Sequence, residues 1–392
     1  MLANSAYERS DEVIYFDNSA TTKVNEDVLQ TYMQVSQNFW GNPSSLHDLG
    51  TKASSLLTQA RAQIATLLNK KPAEILFTSG GTEGNNWILK SAAASRQAYG
   101  NHILVSAIEH PSVIESARQL QKQGYDVEFL PVTKEGFIDL AVLQQKLRKE
   151  TILVSVMAVN NEIGTVQPLK QIAELLADYP TTYLHVDAVQ AVGKLPVADY
   201  LLDRVDFATF SGHKFQAPRG TGFIYAKQGK TLEPLLAGGG QEQSFRSGTE
   251  NLAGIAALSK AFRLTIEQSQ TTISQLASYL TELRTFLAQF PKVHIFTPPT
   301  HVAPHILAFG IKGIRGEVLL HALEEHDIYV STTSACSSHK KVKTGTLQAM
   351  QVPSQDSETV IRISLGTNNT IEEIKQFQQA FTTIYQKFDQ LK

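Results

Sequence analysis

The sequence predicts an α/β protein with a large, mostly parallel, doubly wound sheet and a smaller α+β domain after it. Two observations support this prediction. Short β-rich runs alternate with segments of helical length between residues 74 and 226, and the alternation ends near residue 254. Neighbouring parallel strands need a crossover of helical length, which is the spacing found here. Several runs are apolar throughout, as expected of strands that are buried on both faces.

The predicted elements follow in chain order. The predicted strands of the large sheet are 74–78, 102–106, 127–131, 152–159, 183–186, 207–210 and 222–226. Segments of helical length lie between them, for example 84–97, 112–123 and 169–178. After residue 254 a long helical stretch reaches about residue 290, and strand-like pieces follow at 305–309, 328–330 and 360–364. Apolar residues three and four positions apart then predict an amphipathic helix packed on the core: Ile374, Phe377, Phe381, Ile384 and Phe388.

This change of pattern places the domain boundary near 255–265. We expect a large domain at 16–260 and a small C-terminal domain at 261–392, with residues 1–15 docking on the small domain. The 392 residues are 42% hydrophobic and 18% charged, which is typical of a globular protein and excludes whole-chain disorder.

Charge and cysteine content exclude several classes of function. The 35 basic and 37 acidic residues nearly cancel, so no global positive field would attract nucleic acid or an anionic membrane. One cysteine cannot form an internal disulfide or a cysteine-rich metal site, and the histidines lack ligand spacing, so we expect no metal site. Charged residues occupy the place of a secretory apolar segment, and no apolar run approaches about 18 residues. A cytoplasmic protein is therefore expected.

Three short segments, each placed after a predicted strand, carry residues suited to chemistry. Gly81 and Thr82 lie where a strand ends and a helix begins, so backbone N–H groups and a hydroxyl could hold a phosphate there. Asp187 follows the strand 183–186, and Lys214 follows the strand 207–210. Taken singly, these residues could equally be an ordinary turn, a helix cap and a solvent-exposed lysine. Together they provide a phosphate site, a carboxylate for a pyridine nitrogen and a Schiff-base amine, which pyridoxal 5′-phosphate (PLP) requires.

Further motifs extend along almost the whole chain. They are DNSATT at 17–22, NPSSLH at 42–47, EHPSV at 109–113, NNEIG at 160–164, SGHK at 211–214, RSGTEN at 246–251, SACSS at 334–338 and IRISLG at 361–366. In this order they resemble the cysteine desulfurases of the NifS/IscS type, within the class V aminotransferase group of PLP-dependent enzymes. The resemblance implies the PLP-dependent transferase fold of type I.

The resemblance also implies how a cofactor would be bound. Lys214 would attach PLP, Asp187 would pair with the pyridine nitrogen, and Gln190 with the ring hydroxyl. His110 would stack on the ring and help to move protons. The phosphate would be held by Gly81, Thr82, Ser211 and His213, and by Thr249 reaching across from the second subunit of a homodimer.

The same resemblance implies a substrate site and a nucleophile. Asn161, also expected beside the cofactor, and Arg362 would bind the carboxylate of L-cysteine, for which a planar guanidinium is suited. Cys336 is the single cysteine, and its neighbours are serines, His339 and several lysines. Nearby positive charge favours the thiolate, so we expect Cys336 to be the nucleophile and not a buried apolar residue.

The implied reaction converts L-cysteine to L-alanine and leaves a persulfide on Cys336. The sulfur would then pass to an acceptor protein for iron–sulfur cluster assembly, thio-cofactor synthesis or tRNA thiolation. A selenocysteine lyase, another PLP lyase of this class and an inactive sulfur-transfer scaffold are the alternatives.

Overall fold

The computed structural model describes residues 13–332 and 345–390. Its strands are β1 (Ile14–Tyr15), β2 (Ile75–Thr78), β3 (His102–Ser106), β4 (Asp126–Leu130), β5 (Thr151–Met157), β6 (Tyr183–Asp187), β7 (Phe207–Ser211), β8 (Gly222–Ala226), β9 (Val293–Ile295), β10 (Ile306–Ile311), β11 (Ile328–Tyr329), β12 (Ser331–Thr332) and β13 (Val360–Ser364). Its α-helices are α1 (Glu26–Asn38), α2 (Asp48–Leu67), α3 (Gly81–Ser95), α4 (Pro111–Lys122), α5 (Leu140–Lys146), α6 (Leu169–Leu175), α7 (Val197–Tyr200), α8 (Leu252–Glu267), α9 (Ser269–Leu287), α10 (Gly316–Glu324), α11 (Thr346–Ala349), α12 (Ser354–Ser357) and α13 (Ile371–Gln390).

Seven strands form the large sheet in the order β2-β8-β7-β6-β5-β3-β4. Neighbours from β7 to β4 are parallel, and β8 is antiparallel to both β7 and β2. Helices cover both faces, because alternate side chains of a strand point to opposite sides. Ile103 packs in the same apolar cluster as Trp87 of α3, whereas Leu104 packs in the cluster that contains Ile172 of α6. The predicted α/β class is confirmed.

A second apolar core lies around a four-stranded antiparallel sheet of order β12-β13-β10-β9. It includes Leu276 and Leu280 of α9, and the stripe of α13 predicted from the sequence is buried in it through Ile374, Phe377, Phe381 and Ile384. Phe388 packs against this core and is partly buried. Helix α8 instead contributes Leu258 and Phe262 to the core of the large sheet. The exact division at residue 260 stays a prediction.

The start of the described chain joins the second core. β1 pairs in parallel with β11, and Ile14 and Phe16 are buried beside α13. Residues 1–12 lie outside the described part of the chain, so the docking of the whole segment 1–15 also stays a prediction.

Two predicted elements differ from the structure. The helical stretch 254–290 is two helices that meet at Gln268, where the Ser269 hydroxyl donates to the Ile266 carbonyl (2.7 Å) and competes with the regular helical pattern. The strand predicted at 152–159 ends at Met157. The chain turns there because the Asn160 side-chain oxygen accepts the N–H groups of Glu162 and Ile163, both at 2.9 Å.

Candidate active site

The predicted site residues of the large sheet lie along one edge of it. Asp187 is the last residue of β6, and Ser211 is the last residue of the adjacent strand β7. Lys214 follows in a 3-10 turn over Gly212–Lys214, while Gly81 begins α3 and His110 immediately precedes α4. The carboxyl ends of parallel strands form the crevice in which doubly wound proteins bind ligands.

The Asp187 carboxylate is 5% exposed and has a partner for each oxygen. Oδ2 accepts a hydrogen bond from Nδ2 of Asn85 (2.7 Å), and Oδ1 accepts one from the backbone N–H of Val189 (3.0 Å). The residues directly after Asp187 form turns and not a helix, so Asp187 does not act as a helix cap. The two donors stabilise the ionised carboxylate, which is the form that pairs with a protonated ring nitrogen.

Lys214 contacts a segment that is distant in the sequence. Its Nζ donates to the carbonyl oxygens of Ser19 (2.5 Å) and Ala20 (2.7 Å), and Nε2 of Gln190 donates to the same Ser19 oxygen (3.0 Å). The DNSATT motif therefore supplies backbone acceptors that keep the lysine and the glutamine at the sheet edge. This role of the Ser19 and Ala20 carbonyls was missed, because only the side chains of the motif were considered.

The two glycines at the start of α3 stand where a larger residue would not fit without strain. A side chain at Gly81 would place its Cβ 2.9 Å from Cγ2 of Val189, and Gly80 has a φ of +151°, which other residues rarely adopt. The Ser211 hydroxyl lies beside these glycines, and Thr82 is exposed one residue further on. Exposed N–H groups at the first turn of a helix favour an anion such as a phosphate.

His213 completes this region as a neutral side chain. Its Nδ1 lies 3.2 Å from the Thr21 hydroxyl. Burial, together with the charges of Lys214 and Arg219, lowers the pKa of His213 to about 4. The imidazole can therefore donate one hydrogen bond to an anion near neutral pH without itself carrying charge.

Arg362 and Asn161 meet at the other side of the site. Arg362 of β13 is 6% exposed; Nη1 donates to the Asn161 carbonyl and Nη2 to Oδ1 of Asp17, both at 2.7 Å. Its Nε has no hydrogen-bond partner among the residues the structure describes. Burial raises the pKa of Asp17, and the Arg362 charge opposes that shift. A buried guanidinium with an unused donor is suited to a further anionic group.

Thr249 is a predicted site residue that the structure does not bring to this edge. Thr249 is exposed and lines a separate cleft of about 340 Å³ with Tyr32, Phe39 and Trp40. Cys336 lies outside the described residues, as does its motif at 334–338.

Comparison with known proteins decides the family. Residues 14–377 match the family described as Aminotransferase class-V. This chain belongs to that family. A "NifS/IcsS protein homolog" of Lactobacillus delbrueckii subsp. bulgaricus is 49% identical over 97% of this chain and 99% of its own. A "Cysteine desulfurase IscS" of Methanosarcina thermophila is 39% identical over 96% of this chain and 93% of its own length. A solved "NIFS-LIKE PROTEIN" superposes with a TM-score of 0.89 at 36% identity, over 96% of this chain and 99% of that one.

The resemblance predicted from the motifs is thereby confirmed, and members of the class-V aminotransferase family are generally PLP-dependent. The residues at the sheet edge fit that cofactor. The N–H groups at the start of α3 suit a phosphate, Asp187 suits a pyridinium, and Lys214 suits an aldehyde. Within residues 13–332 and 345–390, no helix has both the length and the hydrophobicity that crossing a bilayer requires.

A second group of titratable residues lies on the edge strand, away from the site. His102, Asp126 and Glu128 are close enough to share one ion. Arg148 donates to both carboxylates (2.7 and 2.8 Å), and Lys146 also contacts Glu128. These cations already balance the carboxylates, so the cluster behaves as a network of ion pairs at the surface.

Glu109 is a buried acid that sequence reasoning missed, although it stands in the EHPSV motif. Its Oε1 accepts the Met157 N–H at 2.5 Å, and its Oε2 has no partner in the described chain. Burial, reinforced by the Asp187 charge, raises the pKa of Glu109 well above its usual value. The uncharged form of this carboxyl group is thus favoured in the folded chain.

We therefore expect Glu109→Gln to stabilise the cofactor-free protein at alkaline pH. The stabilising effect of the neutral acid is complete below the unfolded-state pKa and is lost as the pH rises through the folded-state pKa, whereas an amide does not titrate. The gain is therefore expected to be larger at pH 8 than at pH 4. Urea unfolding at both pH values measures it, with the exposed Glu135→Gln as control. An equal effect at the two pH values would contradict the assignment.

Proposed function

We propose that this chain is a PLP-dependent cysteine desulfurase, which converts L-cysteine to L-alanine and holds the removed sulfur as a persulfide on Cys336. The observation that carries the proposal is the pair formed by a buried Asp187 and Lys214 after adjacent strands, in a chain of this family. Full-length relatives with the name cysteine desulfurase support it.

Different residues at the sheet edge would bind different groups of the cofactor. When bound, PLP supplies an electron sink that stabilises negative charge at the substrate Cα. Lys214 would provide the amine for covalent attachment and a base for the Cα proton. Asp187 would keep the ring nitrogen protonated, and Gln190 would pair with the ring hydroxyl. The N–H groups at the start of α3, with Thr82, Ser211 and His213, would hold the phosphate.

Arg362 and Asn161 bind the carboxylate of the substrate. Arg362 uses two of its N–H groups for Asp17 and for the Asn161 carbonyl, and its buried Nε remains for the ligand. The Asp17 contact also fixes the guanidinium plane before the substrate arrives, which reduces the ordering that binding would otherwise require.

The sulfur step balances without an added oxidant. The Cys336 thiolate attacks the sulfur of the bound cysteine, so a sulfur–sulfur bond forms and the carbon–sulfur bond breaks. The electron pair of the broken bond remains on the substrate carbon, which takes up a proton and becomes the methyl group of alanine. Cys336 is oxidised to the persulfide level while the substrate carbon is reduced. An acceptor protein then takes the terminal sulfur, and its identity stays a prediction, as does the cytoplasmic location.

The test is incubation of the PLP-loaded protein with L-cysteine, with alanine and protein-bound sulfur measured together. We expect one persulfide per chain in the first turnover and equal amounts of alanine and sulfur afterwards when a thiol acceptor is supplied. Selenocysteine and cysteine sulfinate are tested in parallel. Exclusive turnover of selenocysteine, or no turnover of any substrate by protein that binds PLP, would contradict the proposal.

We further propose that the protein is a homodimer in which Thr249 of one chain completes the phosphate site of the other. The cleft that contains Thr249 is lined by exposed apolar residues, among them Trp40 at 71% exposure and Phe39. The fully exposed Leu46 follows in the same segment of the chain. Exposed apolar surface of this kind is typical of a protein interface.

Trp40→Asp is therefore expected to weaken self-association at least thirtyfold, corresponding to about 2 kcal/mol for loss of a buried aromatic anchor. Sedimentation velocity over a range of concentrations measures the change. Val318→Asp is the matched control, because Val318 is an exposed apolar residue on α10. A wild-type protein that sediments as a fully active monomer would refute the dimer.

A further inference from the structure

His110 is held at Nδ1 by two groups of the same helix. It is the N-cap residue of α4, and its Nδ1 accepts the backbone N–H of Ser112 at 3.2 Å. The same nitrogen lies 2.8 Å from the Ser112 hydroxyl. A ring nitrogen that accepts a backbone N–H cannot carry a proton of its own, so the imidazole proton belongs on Nε2.

Asn85 links this contact to Asp187. Its Nδ2 donates to the Ser112 hydroxyl oxygen (2.9 Å) and to Oδ2 of Asp187 (2.7 Å). The reverse orientation of the amide would place two oxygens against each other at Asp187, so the donor must face the carboxylate. Because the Ser112 oxygen already accepts from Asn85, its own hydrogen is directed to Nδ1 of His110. The order of donation runs from Asn85 through Ser112 to His110.

Asn85, Ser112 and Asp187 are all shielded from water. Asn85 is 1% exposed, Ser112 and Asp187 are also buried, and Oδ1 of Asn85 has no partner among the described residues. Hydrogen bonds in such a setting are geometrically demanding, because a lost partner leaves an unsatisfied polar group.

We propose that Ser112 and Asn85 are positioning residues that hold His110 as a neutral imidazole with its proton on Nε2, and that Asn85 couples this state to the Asp187 carboxylate. The proposal rests on the proposed function for its catalytic meaning. Nε2 is then the ring position that donates a proton during the reaction, and Nδ1 is reserved for orientation.

The groups around His110 shift its pKa in opposite directions. Burial lowers the pKa of His110, and the positive end of α4 and the Lys214 charge act in the same sense. Asp187 favours the charged ring, and the nearby His213 is neutral near pH 7. A neutral histidine at a helix N-terminus is a known arrangement for a side chain that donates a proton or a hydrogen bond.

The decisive measurement is the nitrogen chemical shift of the His110 ring in ¹⁵N-histidine-labelled protein, identified by subtracting the spectrum of His110→Gln. In the cofactor-free wild type we expect a proton on Nε2 and an unprotonated Nδ1, with ionisation of the ring at a lower pH than for an ordinary histidine. Protonation at Nδ1 in the wild type would overturn the proposal. This result does not depend on turnover, so it separates failure of the proposal from failure of the proposed function.

Variants of Ser112 test its role as a positioning residue. Ser112→Ala should raise the pKa of His110, because a donor to the neutral ring is lost, and should lower kcat about tenfold with KM changed less than twofold. Ser112→Thr keeps the hydroxyl and should restore both the pKa of His110 and kcat. Ser116→Ala is the matched control, since Ser116 is equally buried on α4 and donates only to the Ser112 carbonyl in the described contacts. Equal effects of the two alanine variants on the ring shifts would also overturn the proposal.

Discussion

Replacement of Cys336 by alanine is expected to lower sulfur release from L-cysteine about a thousandfold or more, while PLP binding is retained. The sequence contains no other cysteine, so no second thiol of the chain can attack the substrate sulfur. The cofactor residues lie in the described part of the chain and are unchanged by the substitution. The first turnover should therefore yield no persulfide, although the absorbance change on adding cysteine should persist.

Three measurements make this result specific. Intact mass of the wild type after brief exposure to L-cysteine should increase by one sulfur per chain, and that of Cys336→Ala should not. Alkylation of the native protein should remove activity at one label per chain. It should also be faster near pH 7 than for an ordinary thiol, because neighbouring lysines favour the thiolate. A Cys336→Ala protein that releases sulfur at the native rate would disprove the nucleophile and leave the cofactor assignment standing.

Lys214→Ala is expected to abolish covalent attachment of PLP and to lower turnover about a thousandfold or more. The amine that attaches the cofactor and accepts the Cα proton is then missing, while Asp187 and the start of α3 still bind the cofactor reversibly. Borohydride reduction followed by peptide mapping should place the phosphopyridoxyl label on Lys214 in the wild type. The variant should carry no stoichiometric label.

Lys194 provides a demanding control for this experiment. Burial lowers its pKa to about 8, so a substantial fraction of its amine is uncharged near neutral pH and could react with an aldehyde. Lys194→Ala should leave the label on Lys214 and the absorbance of the bound cofactor unchanged. A label on Lys194 in the wild type would show that the reactivity of the amine, and not its position at a strand end, determines which lysine attaches PLP.

Local sequence patterns accounted for much of the fold. Strands β3, β8 and β13 coincide with the predicted runs, because each is a five-residue segment rich in β-branched, aromatic or other large apolar residues and too short for a buried helix. The buried stripe of α13 follows from its three-and-four spacing in the same way. The break at Gln268 was not predicted, since the competing hydrogen bond from Ser269 depends on a side-chain conformation that periodicity does not contain.

The sequence by itself determined which residues are proposed for the chemistry, because most of the motifs join a reactive side chain to the strand end or helix start that presents it. Only the tertiary structure decided how these motifs contact one another. Asp187 meets Asn85 across 102 positions, Lys214 meets Ser19 across 195, and Arg362 meets Asp17 across 345. No local pattern encodes such contacts, since they arise when parallel strands bring their carboxyl ends to one edge and the second core places β13 beside them. The acceptors and donors that tune Lys214, His110 and Arg362 are therefore properties of the folded chain.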